Sequence, residues 1–204
     1  MTFFDVAYDG TPPWDIGRPQ ATIVRLAEAG EITGSVLDVG CGTGENALYL
    51  AERGIGENAL YLAERGIQVV GVDAAPVAIE RAEAKARDRG IGVEFLVWDA
   101  LRLAELGRTF DTAIDVGLFH SFQDEERPVY AKNLHAVLEP GGRYVMLCWS
   151  ERNEWGYGPR RVTKEEIRET FADAWTVDSI EDAAFETNEP GWSIHAWLAR
   201  ITRA

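Results

Sequence analysis

The sequence predicts an α/β protein, with a mostly parallel seven-stranded sheet, helices on both faces and an antiparallel C-terminal hairpin. Three observations carry this. Five short apolar runs alternate with stretches of helical length and pattern. The first run ends in a glycine-rich turn that opens at once into a helix. After Trp149 the alternation stops, and the last two strand-like runs follow one another with no helix between them.

The strands are taken in order. Ser35–Val39 (SVLDV), Gln68–Asp73 (QVVGVD), Val93–Trp98 (VEFLVW), Phe110–Val116 (FDTAIDV) and Gly142–Trp149 (GRYVMLCW) are rich in Val, Leu and Ile, as strands covered on both faces require. Pro76–Arg89 reads as a helix, with Pro at its first position and Gly90 just past its end. Asp124–Leu138 reads as a second, closed by Pro140-Gly141. A Gly/Trp/Pro/Arg loop over Asn153–Arg161 leads to a helix at Thr163–Phe171. The runs at Trp175–Ile180 and Trp192–Ile201 form the hairpin.

Composition bounds the function. The chain has 204 residues, 46% hydrophobic and 26% charged, which suits one soluble domain over 1–204. No apolar run is long enough to span a membrane, and Met1 is followed by an acidic, aromatic start without the basic region of a signal peptide. Two cysteines make no disulfide framework, and a cytoplasmic location is expected. A net charge of −14 argues against nucleic-acid or anionic-membrane partners, which reward Lys and Arg clusters. Three scattered histidines make no metal site.

The chemistry-bearing stretch is Val36–Gly44, VLDVGCGTG. Glycines at Gly40, Gly42 and Gly44 allow a tight turn and close approach of a ligand to the backbone. The nicotinamide fingerprint needs Gly or Ala where Glu45 stands, so that match fails. Asp38, at the strand end, can instead meet a cationic group.

These motifs together resemble the class I S-adenosylmethionine-dependent methyltransferases, whose fold is Rossmann-like. The resemblance extends over most of the chain: Asp38-x-Gly40-x-Gly42-x-Gly44 after the first strand, Asp73 after the second, Asp99-Ala100 after the third, Asp115–Phe122 after the fourth, Leu138–Gly142 before the fifth. Pro12–Gln20, LFHSF and the HAWLARI ending are similar to the thiopurine- and tellurite-resistance branch, and within it to actinobacterial heterocyclic toxin methyltransferases. The resemblance implies that Asp73 holds the ribose hydroxyls, that Asp99 meets the adenine amine, and that Ala74 and Ala100 leave the ring room. It adds Trp14, in an N-terminal lid over residues 1–20, and Asp115 to the cofactor set. Each Asp also has a bland reading as a cap or turn former.

Methyl transfer is an in-line displacement, so positioning supplies most of the acceleration, about 7–11 kcal/mol. His120, just past the fourth strand, is the candidate base or else a packed ring. Phe119, Trp149, Trp155 and Tyr157 form a candidate aromatic wall for a flat acceptor. His135, His195, Trp175 and Trp197 read as structural, and Arg160-Arg161 as a solvated pair. The expected function is methyl transfer from S-adenosyl-L-methionine, leaving S-adenosyl-L-homocysteine, to a small aromatic O, S or N nucleophile. Halide or thiol acceptors, and a cofactor-binding chain impaired in turnover, are the alternatives.

GENALYLAERGI occurs twice without a single difference, at Gly44–Ile55 and Gly56–Ile67. The separation from Gly44 to Asp73 is 29 residues, and 17 without the second copy, the spacing a short helix and turn need. One continuous helix would turn the second apolar stripe by about 120° and overhang by about 18 Å. The first copy is therefore expected to keep the helix site, with Gly56–Ile67 as an insertion. Exchange of identical elements makes a swapped homodimer the alternative to a monomer.

Overall fold

The computed structural model describes residues 6–54, 69–154, 156, 158–189, 191 and 194–204. Helix α1 (Ala21–Glu28) precedes strand β1 (Val36–Val39), helix α2 (Glu45–Glu52), β2 (Val69–Asp73), α3 (Pro76–Arg89) and β3 (Glu94–Val97). Then follow β4 (Phe110–Val116), α4 (Glu126–Val137), β5 (Leu138–Trp149), α5 (Lys164–Thr170), β6 (Trp175–Phe185) and β7 (Ile194–Arg203), with 3₁₀ turns at Ala100–Leu106 and Phe119–Ser121. The sheet has seven strands in the order β3-β2-β1-β4-β5-β7-β6. The first five pair in parallel, and β7 pairs antiparallel to both β5 and β6.

Local chemistry explains the boundaries. Gly44 caps α2 at φ 83, and an added Cβ there would lie 2.6 Å from Phe95 Cζ. Only glycine fits, both for the left-handed backbone and for the space. Pro76 starts α3, and left-handed Gly90 stops it. Thr163 and Glu166 form a reciprocal capping box on α5. β5 starts at Leu138, earlier than the expected Gly142, because Leu138 pairs with Phe110 before the register shifts to Thr112 opposite Arg143, the extra residues lying in β5. Helix α1 was not expected from the sequence. Ile23 and Leu26 are its buried stripe, one turn apart.

Apolar side chains alternate across the sheet. Leu37 and Val39 of β1 join Tyr130, Leu134 and Ile167 on the α4–α5 face. Val36 joins Ile23, Leu26, Leu48, Leu50, Ile79 and Ala82 on the α1–α2–α3 face. Asp38 shares Val36's side of the pleat, so its carboxylate enters the α2 layer. Helix α2 is built from the first copy of the repeated phrase; the second copy, Gly56–Ile67, lies outside the described residues. The chain reverses its winding between β1 and β4, which opens a crevice at the carboxyl ends of those strands.

Candidate functional site

The crevice is lined first by the glycine turn. The amides of Gly40 and Cys41 donate to Val72 O at 2.8 and 2.9 Å, and that of Gly42 to Asp73 Oδ2 at 2.9 Å. Three successive donors that a pyrophosphate would need are thus used within the protein. The turn is a shaped floor, not an anion cradle. Leu118 packs where a Cβ on Gly40 would stand, 3.0 Å away, tying the turn to the exit of β4.

The carboxylates differ sharply. Asp38 is 1% exposed. It accepts one hydrogen bond from Ala47 N–H in the first turn of α2, while Oδ2 has no partner among the described residues. Burial pushes its pKa up to about 8, and the carboxylates of Asp115 and Asp73 add to the shift. Such an oxygen is suited to a cation delivered from outside. Asp73 ends β2 and accepts from Gly42 N–H and, at 2.9 Å, from Ala75 N–H, so it clips the glycine turn to the strand end. Burial raises its pKa as well. Trp98 N–H donates to Asp73 O, which sets exposed Asp99 beside it. Asp99 Oδ1 accepts from Leu101 N–H, capping the 3₁₀ turn that begins at half-buried Ala100. Ala74 is exposed at the rim.

Asp115 requires a correction. It is fully buried; Oδ1 accepts from Leu118 and Phe119 N–H, and Oδ2 from the hydroxyls of Tyr130 and Tyr144, each at 2.9 Å. Burial raises its pKa to about 6 against the pull of these donors. The carboxylate organises the β4 exit, with no oxygen left for a cofactor.

His120 also departs from expectation. It is 7% exposed, edge-on to Trp149 and Phe185. Trp149 N–H donates to its Nδ1 at 3.2 Å, which assigns the ring proton to Nε2. Burial, then the guanidiniums of Arg127 and Arg161, lower its pKa to about 3. The ring is packed, with its Nδ1 lone pair engaged, which favours the second of the two expected readings over a base. Phe119, expected in the acceptor wall, is fully buried against Phe171 and Tyr130 and belongs to the core. Trp149 is buried too, with the Arg161 guanidinium 5.1 Å from its ring centroid. Arg161 is thereby a buried residue rather than a solvated one, whereas Arg160 pairs with Asp124 and Glu166. Trp155 and Tyr157 lie outside the described residues. Trp175 and Trp197 are core, and His135 stacks edge-on to Trp175.

The N-terminal segment crosses this rim. Trp14 Nε1 donates to Tyr8 Oη at 3.1 Å, and a Cβ on Gly42 would stand 2.8 Å from that hydroxyl. Asp15 accepts from Thr43 Oγ1, Arg81 of α3 holds the carbonyls of Tyr8 and Gly10, and Asn188 of the β6–β7 connection holds those of Pro12 and Asp15. Tyr8 is the rim residue that sequence reasoning missed. Its signal was its place in an aromatic N-terminal segment that also carries Trp14.

Comparison with known proteins bears on the family and the fold. The methyltransferase domain family matches residues 53–142, starting after the glycine turn and taking in the second copy of the phrase. The chain is 39% identical over 184 residues to 2-heptyl-1-hydroxyquinolin-4(1H)-one methyltransferase of Mycobacteroides abscessus, covering 89% of this chain and 76% of that one. It is 28% identical over 170 residues to probable thiol methyltransferase 2 of Arabidopsis thaliana, covering 79% and 67%. A solved structure described as "Conversion of a Disulfide Bond into a Thioacetal Group during Echinomycin Biosynthesis" superposes with a TM-score of 0.85 at 35% identity, covering 98% of this chain and 90% of that one.

Proposed function

The chain belongs to the S-adenosylmethionine-dependent methyltransferases that act on small molecules, and on that premise we propose that its acceptor is an aromatic hydroxyl, thiol or ring nitrogen. When bound, S-adenosyl-L-methionine supplies an electrophilic methyl group on a sulfonium. The residues proposed to hold it are Asp38, Gly40, Gly42, Gly44, Asp73, Ala74, Asp99, Ala100 and Trp14. Asp38 Oδ2 would take the ammonium end in a charge-assisted hydrogen bond. Asp73 would offer the lone pairs its backbone donors leave over, and Asp99 the oxygen that does not cap the turn. The lid from Tyr8 to Gln20 excludes water, which strengthens every electrostatic contact beneath it.

The single observation that carries the reading is the buried, unpartnered oxygen of Asp38 at the glycine turn. Support for an aromatic acceptor comes from the buried Trp149, His120 and Phe185 rings near the same strand ends. The relatives point the same way, one named for a hydroxyquinolinone and one for a thiol. Calorimetric titration of S-adenosylhomocysteine, beside a version lacking Gly56–Ile67, tests the cofactor site. Equal micromolar binding is expected. Binding only to the shortened chain would mean that the duplication displaces the glycine turn and that this chain is a folding variant rather than a working enzyme. Methylation of a phenol, thiophenol and heteroaromatic panel then tests the acceptor class.

A further inference from the structure

We propose that Glu186 is a positioning residue that joins the cofactor side of the crevice to the acceptor side, so that the N-terminal segment and the β6–β7 connection order as one unit. The proposal rests on the reading of the chain as a small-molecule methyltransferase and adds a coupling between its two ligands.

Helix α1 begins without a cap of its own. Gln20 stands at its N-cap and makes no side-chain cap bond, and the first turn holds no acidic residue. The missing acceptor comes from 165 residues along the chain, where Glu186 Oε2 accepts from Ala21 N–H at 2.7 Å. A carboxylate is thereby set at the positive end of the helix. The Gln20 side chain answers with a reciprocal pair: Nε2 donates to Glu186 O at 2.8 Å, and Oε1 accepts from Glu186 N–H at 3.0 Å. Gln20 is 4% exposed, so this pair is shielded from water and is the strong part of the clasp. Arg18 adds two bonds to the Glu186 carboxylate, at 2.9 and 3.1 Å, but it is exposed and contributes little.

The clasp reaches both sides of the crevice. Toward the glycine turn, Gln20 N–H donates to Asn46 Oδ1 of α2 at 3.0 Å. Asn188 N–H donates to Pro13 O at 2.9 Å, next to Trp14, whose indole bonds the Tyr8 hydroxyl beside Gly42. Toward the β4 exit, Phe185 directly precedes Glu186 and is buried. Its ring centroid lies 6.2 Å from that of His120, and a Cβ on Gly117 would stand 3.1 Å from it. Gly117 and His120 flank Leu118, which packs on Gly40. A shift of Glu186 is carried into Phe185, because a close-packed ring has no void to absorb it. A ligand that orders one side therefore lowers the cost of ordering the other, and the effect is reciprocal.

Hydrogen exchange read residue by residue, with and without saturating S-adenosylhomocysteine, tests the coupling. In the unaltered chain, binding should slow exchange about tenfold or more at Asp15 in the N-terminal segment, at Asn188, and at Trp149, whose amide donates to His120. In Glu186→Ala the slowing at Asn188 and Trp149 should be lost, with S-adenosylhomocysteine bound about fivefold more weakly. Glu186→Gln keeps an oxygen for the Ala21 amide and should restore it, and Arg18→Met should retain it. A residue that only stabilises the fold would lower Tm and leave the ligand-induced slowing in place. Slowing confined to the N-terminal segment of the unaltered chain, or slowing at Asn188 and Trp149 that persists in Glu186→Ala, would overturn the proposal. Failure of S-adenosylhomocysteine to bind at all would overturn the methyltransferase reading, and the coupling with it.

Discussion

Asp38 is where sequence, burial and function meet most directly. Its folded pKa of about 8 lies above its unfolded value, so the folded chain holds that proton more tightly. Its contribution to stability is therefore complete below about pH 4 and is lost as pH rises through about 8. Binding of a cationic ligand offsets this cost. Two outcomes are expected. The rise in Tm with S-adenosylhomocysteine should be larger at pH 8.5 than at pH 6, measured by calorimetry. Asp38→Asn should stabilise the ligand-free chain at pH 8 by about 1–3 kcal/mol while weakening S-adenosylhomocysteine roughly tenfold or more. Loss of both stability and binding would show that the carboxylate is structural. Asp115 behaves differently because four donors answer it. Tyr130→Phe removes one of them and should cost about 1–3 kcal/mol in urea unfolding. The penalty should be larger at pH 8 than at pH 5, since the carboxylate needs its donors only when ionised, above about 6.

At the scale of elements, the glycine turn and α2 decide whether the crevice exists. A side chain at Gly44 meets both left-handed strain and Phe95. Gly44→Ala is expected to cost about 2–4 kcal/mol and to abolish S-adenosylhomocysteine binding at micromolar ligand; retained binding would mean that Phe95 gives way. The repeated phrase is a question about the same element. Its first copy makes α2, with Ala47, Leu48 and Leu50 buried. Removal of Gly56–Ile67 shortens the α2–β2 connection, so the shortened chain should show an equal or higher Tm. A lower Tm would mean that the second copy contributes packing of its own. The N-terminal segment, proposed as a lid, is an element too: Arg81 anchors the carbonyls of Tyr8 and Gly10. Arg81→Ala should weaken S-adenosylhomocysteine severalfold through faster release, which stopped-flow measurement reads.

For the whole molecule, the repeated phrase bears on assembly. A tandem copy of a helix can exchange between two chains. Light scattering at micromolar concentration gives a dimer mass if it does and a monomer mass if it does not. Among the described residues no helix is long and apolar enough to cross a membrane, and no acidic or histidine cluster could hold a metal. The order of parallel strands and helices was legible in the sequence, because buried strands announce themselves as short apolar runs and glycines mark the turns between layers. So were the glycine turn and Asp38, whose chemistry is local to one strand end. The insertion of β7 between β5 and β6 was not, since neither run carries a signal for its partner. The interior fates of Asp115, Phe119 and His120 were also beyond reach. In the sequence each stands at a strand exit, where ligands bind. Whether a side chain there turns to the rim or to the core depends on residues far along the chain: Tyr130 and Tyr144 for Asp115, Phe171 for Phe119, the Trp149 backbone amide for His120. By itself the sequence determined the fold class, the family and the glycine turn, all of which rest on neighbouring residues. Tertiary structure decided which polar groups stay free for a ligand, because freedom is what remains after distant partners have been matched.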